Sequence, residues 1–590
     1  MAHQFHIPVL GLGYSIDTPL KIARYGISSV VSIVDDELIE RMRRYHMEKH
    51  QLNYVHIFKN TTDYRSKRIT AYLDLLNDLV NIQFDLLKKQ DFVEGSDICR
   101  YFELLPENSQ LKQGYDLMMD YPEGQAKRIF QDILRKRMKV GAIDVNIMSK
   151  VDKLNFDKDD QYLGDENTDA LAALRGFAKS KVQSSIVLSA GMNPRLYSYL
   201  TAFDDFYPDQ TGTFKKKIIL KVSDFRSAFI QAKFLAKKGL WVAEFRIESG
   251  LNCGGHAFAT DGYLLGPILE EFKQKKNSMI AELYQLYVTA LLERESDQTA
   301  LPEQRISVQG GIGTSIENEF LLQHYQVNST GWGSPFLLVP EVTNVDEQTL
   351  TQLAGSTEKD FYLSNSSPLG VLFNNFKGSS IEEQRLERIE KGRPGSPCTK
   401  KYLCTNTEFT AQPICIASRE YQNLKLKQLQ TLALSEQEFK QQFDAITEKV
   451  CLCEGLCAST YIKTGTAKAK ESKAVAICPG PNLAYFSNIY SLEQMVNHIY
   501  GKADLLAKVK RPHFLIKELD LYIDYLQTEI QTHLKDLNDK KQKQLNKFKI
   551  QLLEGIDYYK TLFSQQAQLI RTQFYDELLV SENKLNNTVI

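Results

Sequence analysis

The first 340 residues alternate between short β-branched runs and segments with apolar residues at helical spacing. Strands that alternate with helices predict parallel pairing through right-handed crossovers. Eight such strands predict an α/β protein with a closed (β/α)8 TIM barrel, in which chemistry collects at the carboxyl ends of the strands. An open, doubly wound sheet is the competing arrangement. The candidate strands are residues 7–10, 27–34, 142–148, 184–189, 216–222, 240–245, 306–309 and 327–333.

Two long gaps interrupt the regular spacing of these strands. Residues 64–139, between the second and third strands, have helical periodicity. We interpret residues 39–140 as a helical insertion carried on the barrel, since an unstructured connection of that length is uncommon inside a compact domain. The second gap, residues 262–304, contains one long helical pattern.

The character of the chain changes after the predicted barrel domain, residues 1–345. Residues 346–510 are interpreted as a loop-rich, cysteine-containing cap, because residues 355–420 are rich in Ser, Gly, Asn and Pro. Residues 511–590 have apolar residues at helical spacing and predict a helical C-terminal region. That region is either a helical hairpin packed on the body or a coiled coil that dimerises or binds a partner.

Composition narrows the class of protein. The chain has 590 residues, with 72 basic and 73 acidic side chains, so no global field attracts nucleic acid or a membrane surface. Its 43% hydrophobic and 25% charged residues are typical of a soluble globular protein. No apolar run approaches the roughly 20 residues that span a bilayer, and the N-terminal segment lacks the pattern of a secretory signal. We therefore expect a cytoplasmic protein with reduced thiols.

Two glycine turns follow the last two predicted strands. The seventh strand continues into Gly310, Gly311 and Gly313, and the eighth into Gly333 and Ser334. In a (β/α)8 barrel the loops after these strands often bind a phosphate through backbone N–H groups. Two adjacent turns of this kind favour a site for one phosphate monoester, and ordinary tight turns are the alternative.

A third glycine turn, in the stretch LNCGGHAF, follows the sixth strand. It places Gly254, Gly255 and His256 at the same rim of the predicted barrel. Glycines allow the backbone to approach a planar ring closely, and an imidazole beside that ring can act as an acid, a base or a hydrogen-bond donor. The plainer interpretation is a histidine that only bonds a local carbonyl.

The order of the segments IPVLGLGYSIDTP, DVNIM, LNCGGHAF, VQGGIGTS and GWGSPF resembles the FMN-dependent nitronate monooxygenase and FMN-type enoyl-(acyl-carrier-protein) reductase family (2-nitropropane dioxygenase-like). The resemblance covers roughly residues 5–345 without the insertion. It implies a (β/α)8 barrel that binds FMN, with a catalytic histidine after strand six and phosphate contacts after strands seven and eight.

By this resemblance His256 is the catalytic residue. Asn252 and Cys253 stand where the family commonly has Glu-Ala, and these departures bear on nitronate as the substrate. No G-x-G-x-x-G motif follows a strand, so an NADH or NADPH donor is expected to bind only transiently. The implied FMN contacts are Gly11, Gly13, Asn146, Lys221, Gly254, Gly255, Gly310, Gly311, Gly333 and Ser334.

The nine cysteines are unevenly placed, and seven lie between Cys398 and Cys478. Thiolates in this number can hold an iron–sulfur cluster or zinc. No C-x2-C pair occurs, so we expect reduced, buried thiols without a cluster and assign no metal ligand. The turn of residues 478–482, Cys-Pro-Gly-Pro-Asn, is rigid, but the sequence does not show what it contacts.

Together these patterns predict an FMN-dependent oxidoreductase of the nitronate monooxygenase-like type, acting on a small-molecule or acyl-type substrate. Three alternatives stay open: an enoyl-thioester reductase, an accessory or scaffold protein with or without flavin, and a flavin-independent barrel that binds a sugar phosphate at the same turns. A homo-oligomer or protein partner would use the C-terminal helices.

Overall fold

Eight parallel strands close into a barrel, in a computed structural model that describes residues 2–149, 152–157, 159, 161–189, 191–257, 261–298, 300–533, 538–564 and 568–590. Each strand pairs with the next, and the first pairs with both the second and the eighth. This closure confirms the (β/α)8 prediction and excludes the open doubly wound sheet. The strands are β1 Phe5–Ile7, β2 Ser28–Ser32, β3 Ile143–Ile147, β4 Ser184–Leu188, β5 Lys216–Val222, β6 Val242–Glu248, β7 Arg305–Gln309 and β8 Ser329–Gly331.

Two strand ends lie three residues from the predicted ones. Strand β1 ends at Ile7 rather than residue 10, because Pro8 has no N–H to donate to a neighbouring strand. Strand β6 extends to Glu248, three residues beyond the predicted end, and pairs there with Gln309. The extension matters because it carries Glu248 to the carboxyl-end rim.

The barrel interior is filled by side chains, as the alternation of residues along parallel strands requires. Val30, Val187 and Ile219 form an apolar cluster inside it. Arg246 of β6 is also buried, and its Nη2 lies 2.9 Å from Glu244 Oε1. Chemistry is therefore confined to the two open ends of the barrel.

The helices between β2 and β3 agree with the predicted insertion. The long helix Tyr64–Lys88 packs on the barrel helix Asp169–Ala178 at Gly176, where an added Cβ would lie 2.8 Å from Ile69. Thr70 Oγ1 donates to the carbonyl of Gly176 across the same contact (2.9 Å). The helices up to α7 are α1 Thr18–Ile22, α2 Asp36–Lys49, α3 Tyr64–Lys88, α4 Asp97–Glu103, α5 Gln110–Asp120, α6 Gln125–Arg137 and α7 Asp169–Ala178.

The remaining helices around the barrel are α8 Pro194–Tyr199, α9 Phe225–Ala236, α10 Leu265–Glu293, α11 Ser315–Gln323 and α12 Glu347–Ala354. Helix α10 is the long helix predicted in residues 262–304. Helix α11 begins with a capping box in which the Thr314 hydroxyl accepts from the Glu317 N–H and the Glu317 carboxylate accepts from the Thr314 N–H. The Glu317 carboxylate is also part of the candidate functional site.

The cap region contains more regular structure than its composition predicted. Residues 355–420 were expected to be loop, but they include an antiparallel pair of strands and a helix, because aromatic residues give the pair an apolar face: the Phe361 and Phe376 rings stack with centroids 5.3 Å apart. The elements are β9 Phe361–Ser364, β10 Phe373–Phe376, α13 Ser380–Glu390, α14 Arg419–Gln430, α15 Glu436–Thr447, α16 Leu452–Thr464 and α17 Leu492–Ile499.

The C-terminal region packs on the barrel. The Tyr522 hydroxyl accepts from Gly250 N (2.9 Å), and Glu518 Oε2 accepts from Leu265 N (2.8 Å). Its described helices are α18 Phe514–His533, α19 Asp539–Phe563 and α20 Gln568–Asn586, one more than a hairpin contains. Among the described residues, no helix has both the length and the apolar character needed to cross a membrane.

Candidate functional site

Polar side chains gather at the carboxyl-end mouth of the barrel. Lys221 of β5 and Glu248 of β6 form an ion pair there, with Nζ and Oε2 2.5 Å apart and side chains 20% and 16% exposed. Gln309 Nε2 donates to the other carboxylate oxygen of Glu248 (2.9 Å). Asn146, near the end of β3, is half-buried at the same rim. The structure thus brings together two of the predicted flavin-ring contacts, Asn146 and Lys221, on one end of the barrel.

The two glycines before His256 meet different requirements. Gly254 has a φ of +115°, and an added Cβ would overlap the carbonyl oxygen of Cys478. Gly255 has a φ of +80°, its N–H donates to the same carbonyl (2.9 Å), and nothing lies within 4 Å of an added Cβ. Contact with the cap therefore explains the first glycine. The second combines a left-handed backbone with an open side, which is the arrangement a planar ligand needs.

The imidazole of His256 is held by the cap. Its Nε2 lies 2.7 Å from Ser367 Oγ, and its ring meets Phe373 edge-on, with centroids 5.1 Å apart. The backbone carbonyl of His256 accepts from Asn252 Nδ2 (2.8 Å). The side chain is half-buried, so it is both positioned and reachable.

The turn after β7 is closed by a buried ion pair. Gly313 N donates to Glu317 Oε2 (2.8 Å), and Arg511 Nη1 lies 2.6 Å from Glu317 Oε1, with side chains only 6% and 4% exposed. Arg511 Nη2 also donates to the carbonyl of Gly311 (2.6 Å). Burial alone would raise the pKa of the Glu317 carboxyl, but the Arg511 guanidinium holds it below its ordinary value. A carboxylate thus occupies the amides of Gly313 and Thr314, at the start of α11.

The three glycine turns pack directly on one another. An added Cβ at Gly310 would overlap the carbonyl of Leu251, and one at Gly311 would overlap the Leu251 side chain. At Gly333 it would lie 2.6 Å from Cys253 Cβ. These glycines are therefore required by packing between the turns, whether or not a ligand binds.

Residues 478–482, the Cys-Pro-Gly-Pro-Asn turn, lie across the turns after β7 and β8. Gly480 N donates to Ser334 Oγ (2.7 Å), and Ser334 Oγ donates to the carbonyl of Cys253 (2.9 Å). Asn482 Nδ2 donates to the carbonyl of Ile312 (2.8 Å). The structure gives this segment the purpose that the sequence did not show, which is to cover both predicted phosphate turns.

The residues at this rim fit the ring of FMN better than they fit its phosphate. At the ring end, the Lys221–Glu248 pair is polar and no described residue lies within 4 Å of a Cβ added at Gly255, which is compatible with a flavin ring. The phosphate end does not fit in the observed conformation, since the Ser334 hydroxyl is fully engaged and Arg511 covers the other turn. A phosphate at that position requires residues 478–482 to withdraw.

Packing explains Gly11 and Gly13. Gly11 has a φ of +54°, and an added Cβ there would lie 2.8 Å from the Tyr14 ring. Gly13 N donates to the carbonyl of Leu456 in α16 (3.2 Å), and an added Cβ would overlap the Thr460 hydroxyl. The left-handed backbone and the Tyr14 ring account for Gly11, and contact with α16 accounts for Gly13. The role of both glycines toward FMN stays a prediction.

Five of the clustered cysteines form one apolar group with Leu403 and Ala417. The members are Cys398, Cys404, Cys415, Cys451 and Cys453. The Sγ atoms of Cys398 and Cys404 are 3.9 Å apart, and the cysteines are free thiols. A hydrogen bond from Cys453 lowers the pKa of Cys451, at the N-terminus of α16. Within the described ranges, no group of three or more His, Cys, Asp or Glu side chains is arranged to hold a metal ion.

Several residues of the site were missed from the sequence. Glu248 follows Glu244 and Arg246 at a spacing of two, a signal that could have extended β6. Glu317 is the fourth residue of a Thr-x-x-Glu capping box, a signal for the start of a helix. Arg511 carries no local signal, because its partner lies 194 residues earlier in the chain.

Comparisons with known proteins add little to this geometry. No protein-family model matches the chain, and no curated protein matches it. Among solved structures, a mutant of FabK from Thermotoga maritima is similar at 11% sequence identity and a TM-score of 0.30, covering 66% of this chain and 80% of that one. A likeness at this level carries no argument, so the closed barrel itself is what establishes the fold.

Proposed function

We propose that the chain is an FMN-dependent oxidoreductase that acts on a small or acyl-type substrate at the carboxyl-end mouth of its barrel. The observation that carries the proposal is the convergence of Asn146, the Lys221–Glu248 pair and the open face of Gly255 on one rim. The resemblance of the ordered motifs to the nitronate monooxygenase-like family supports the same assignment.

Each residue at the mouth has a defined task in this proposal. Bound flavin supplies hydride transfer at its ring. Lys221, fixed by Glu248, offers an ammonium to the polar edge of the ring, and Asn146 offers an amide. His256, positioned by Ser367, donates a hydrogen bond to a substrate carbonyl or nitro oxygen and so polarises it. Nitronates and enoyl thioesters both present such an oxygen, and NADH or NADPH is the proposed transient donor.

The phosphate of FMN is proposed to bind at Gly311, Gly333 and Ser334 once residues 478–482 withdraw. This requirement gives the proposal a structural consequence that can be measured. Flavin-loaded protein should exchange the backbone hydrogen of Gly480 with solvent faster than flavin-free protein, because its bond to Ser334 Oγ is lost.

Flavin content is the first test. Acid release from purified protein should yield FMN and no FAD, because the two glycine turns provide for one terminal phosphate. Protein that folds, stays colourless and takes up no FMN on incubation contradicts the proposal.

Variants of His256 form the second test. A positioned acid, base or hydrogen-bond donor contributes about 10²–10⁴-fold to rate. His256→Ala should lose flavin turnover by that factor while it keeps its flavin and its melting temperature. The control is His324→Ala, at the end of α11 and outside the mouth, which should retain full turnover. Assays begin with nitroalkanes, enoyl thioesters and quinones. Equal rates in both variants remove His256 from the mechanism.

The covered phosphate turns favour a second candidate, a flavin-free barrel that serves as an accessory or scaffold protein. In that case residues 478–482 are a permanent part of the barrel top, and the glycines serve only packing. The two candidates differ in two observables. A scaffold stays colourless, and addition of FMN does not speed the exchange of its Gly480 backbone hydrogen with solvent.

A further inference from the structure

A second cavity, of about 570 Å³, lies on the outside of the barrel, away from the mouth. Its walls come from α1, the end of α2, α3, α4, the segment after β8 and the last turn of α16. Neither Lys221, Glu248 nor His256 lines it. The volume is within the range of about 300–1,000 Å³ that small-molecule sites occupy.

The cavity is strongly cationic although the chain as a whole carries a net charge of −1. Its two carboxylates are already engaged: Asp17 Oδ1 lies 3.1 Å from Lys21 Nζ, and Glu341 Oε1 lies 3.0 Å from Arg100 Nη2. The basic side chains outnumber them by three. They are Lys21, Arg24, Lys49, Arg100 and Lys463.

Among the described residues, three buried polar atoms of the cavity lining have no hydrogen-bond partner: Arg24 Nε, His46 Nδ1 and Gln83 Oε1. Arg24 Nε is 3.8 Å from Asp97 Oδ2, within ion-pair range but too far for a hydrogen bond. His46 is only 4% exposed, and its Nε2 lies 3.2 Å from Asp17 Oδ2. Buried polar atoms are rarely left unsatisfied, and a cluster of them in one cavity is typical of a ligand site.

The unsatisfied atoms define a complementary ligand. Arg24 Nε is a donor next to other cations, which favours a phosphate oxygen. Gln83 Oε1 is an acceptor. A ligand that satisfies both atoms carries an anionic group and a hydroxyl or amine donor. The rings of Tyr25 and Tyr45 add an aromatic wall.

We propose that this cavity is a binding site for a small phosphorylated compound with free hydroxyl groups, the chemistry shared by sugar phosphates and nucleoside monophosphates. Its phosphate lies among Arg24, Lys49 and Arg100, and a hydroxyl donates to Gln83 Oε1. The site is separate from the mouth, so it serves regulation or a second substrate and does not depend on flavin binding.

Isothermal titration calorimetry of the full chain tests the site with four probes: ribose 5-phosphate, adenosine monophosphate, adenosine and inorganic phosphate. The phosphorylated hydroxyl compounds should bind with a Kd below about 1 mM, and adenosine should not bind. The tighter of the two identifies sugar phosphate or nucleotide as the class. Saturable binding of neither compound overturns the proposal, and inorganic phosphate that binds as tightly as both overturns its hydroxyl part.

Variants locate the binding. Arg24→Gln and Lys49→Gln should each weaken the phosphorylated probes about tenfold, the loss expected for one charge-assisted hydrogen bond. Lys49 is exposed, so its variant should fold normally. Gln83→Leu should weaken ribose 5-phosphate and leave inorganic phosphate unchanged. Lys233→Gln, a lysine of α9 outside the cavity, and His256→Ala should bind like the parent protein. Undiminished affinity in both Arg24→Gln and Lys49→Gln overturns the assignment.

Discussion

Removing the guanidinium of Arg511 should destabilise the protein far more than removing an exposed one. The Arg511–Glu317 pair is almost fully buried, at 6% and 4% side-chain exposure, and Arg511 also donates to Gly311 and Asn482. Arg511→Met keeps the volume but leaves Glu317 charged and unpaired, which costs about 3–5 kcal/mol for a buried pair. The matched control is Arg44→Met, whose pair with Glu48 is 63% and 55% exposed, so solvent screens it and its loss should cost little.

The assay is urea unfolding at several pH values, followed by circular dichroism and by the fluorescence of Trp241 and Trp332, which are 4% and 1% exposed. Because Arg511 holds the pKa of Glu317 below its ordinary value, the pair stabilises the native state above that value and loses its effect as pH falls through the lowered one. In Arg511→Met no guanidinium opposes the effect of burial, so the pKa of Glu317 should rise and the carboxyl should bind a proton more readily as pH falls. The difference from the parent protein should therefore be larger at pH 8 than at pH 5. A loss equal to that of Arg44→Met, or one that is independent of pH, would refute the reasoning.

Three further predictions test other parts of the molecule. Gly254→Ala should destabilise the protein by more than Gly255→Ala in thermal unfolding, because both backbones are left-handed but only the first Cβ meets the Cys478 carbonyl; equal losses would remove that contact from the explanation. Burial raises the pKa of Glu518 to about 7. The native state therefore binds more protons than the unfolded state between about pH 4.5 and 7, and it loses stability as pH rises through that window. Glu518→Gln should become increasingly more stable than the parent protein above pH 5, and parallel pH profiles contradict this. Anaerobically purified protein should contain neither iron nor acid-labile sulfide, and about four irons per chain would overturn the prediction of reduced thiols.

The barrel could be predicted because its signals are local. Each strand is a short β-branched run and each helix an amphipathic pattern, so their alternation specifies parallel pairing and closure. The strand boundaries were harder to predict, because β1 ends before Pro8, which stands inside an apolar run. The hairpin of the cap was missed because FNNF, residues 373–376, is embedded in a stretch whose Ser, Gly and Asn content predicts loop.

The candidate site could be predicted only in part. The rim residues were found, because the ends of parallel strands converge by topology. What covers that rim could not be found, since Arg511 reaches Glu317 across 194 residues and Gly480 reaches Ser334 across 146. Contacts of such sequence separation depend on where the cap and the C-terminal helices pack, and no periodicity encodes that position.

A glycine required by packing and a glycine required by a ligand leave the same signal in a sequence. At Gly254, Gly310 and Gly333 the position of an added Cβ is taken by protein atoms, so packing alone accounts for the residue. At Gly255 that position is open, and the left-handed backbone faces no neighbour within 4 Å. The ligand hypothesis at the mouth therefore depends on Gly255 and on the Lys221–Glu248 pair rather than on the two turns that first suggested a phosphate. A flavin at this rim gains contacts to its phosphate only when residues 478–482 withdraw.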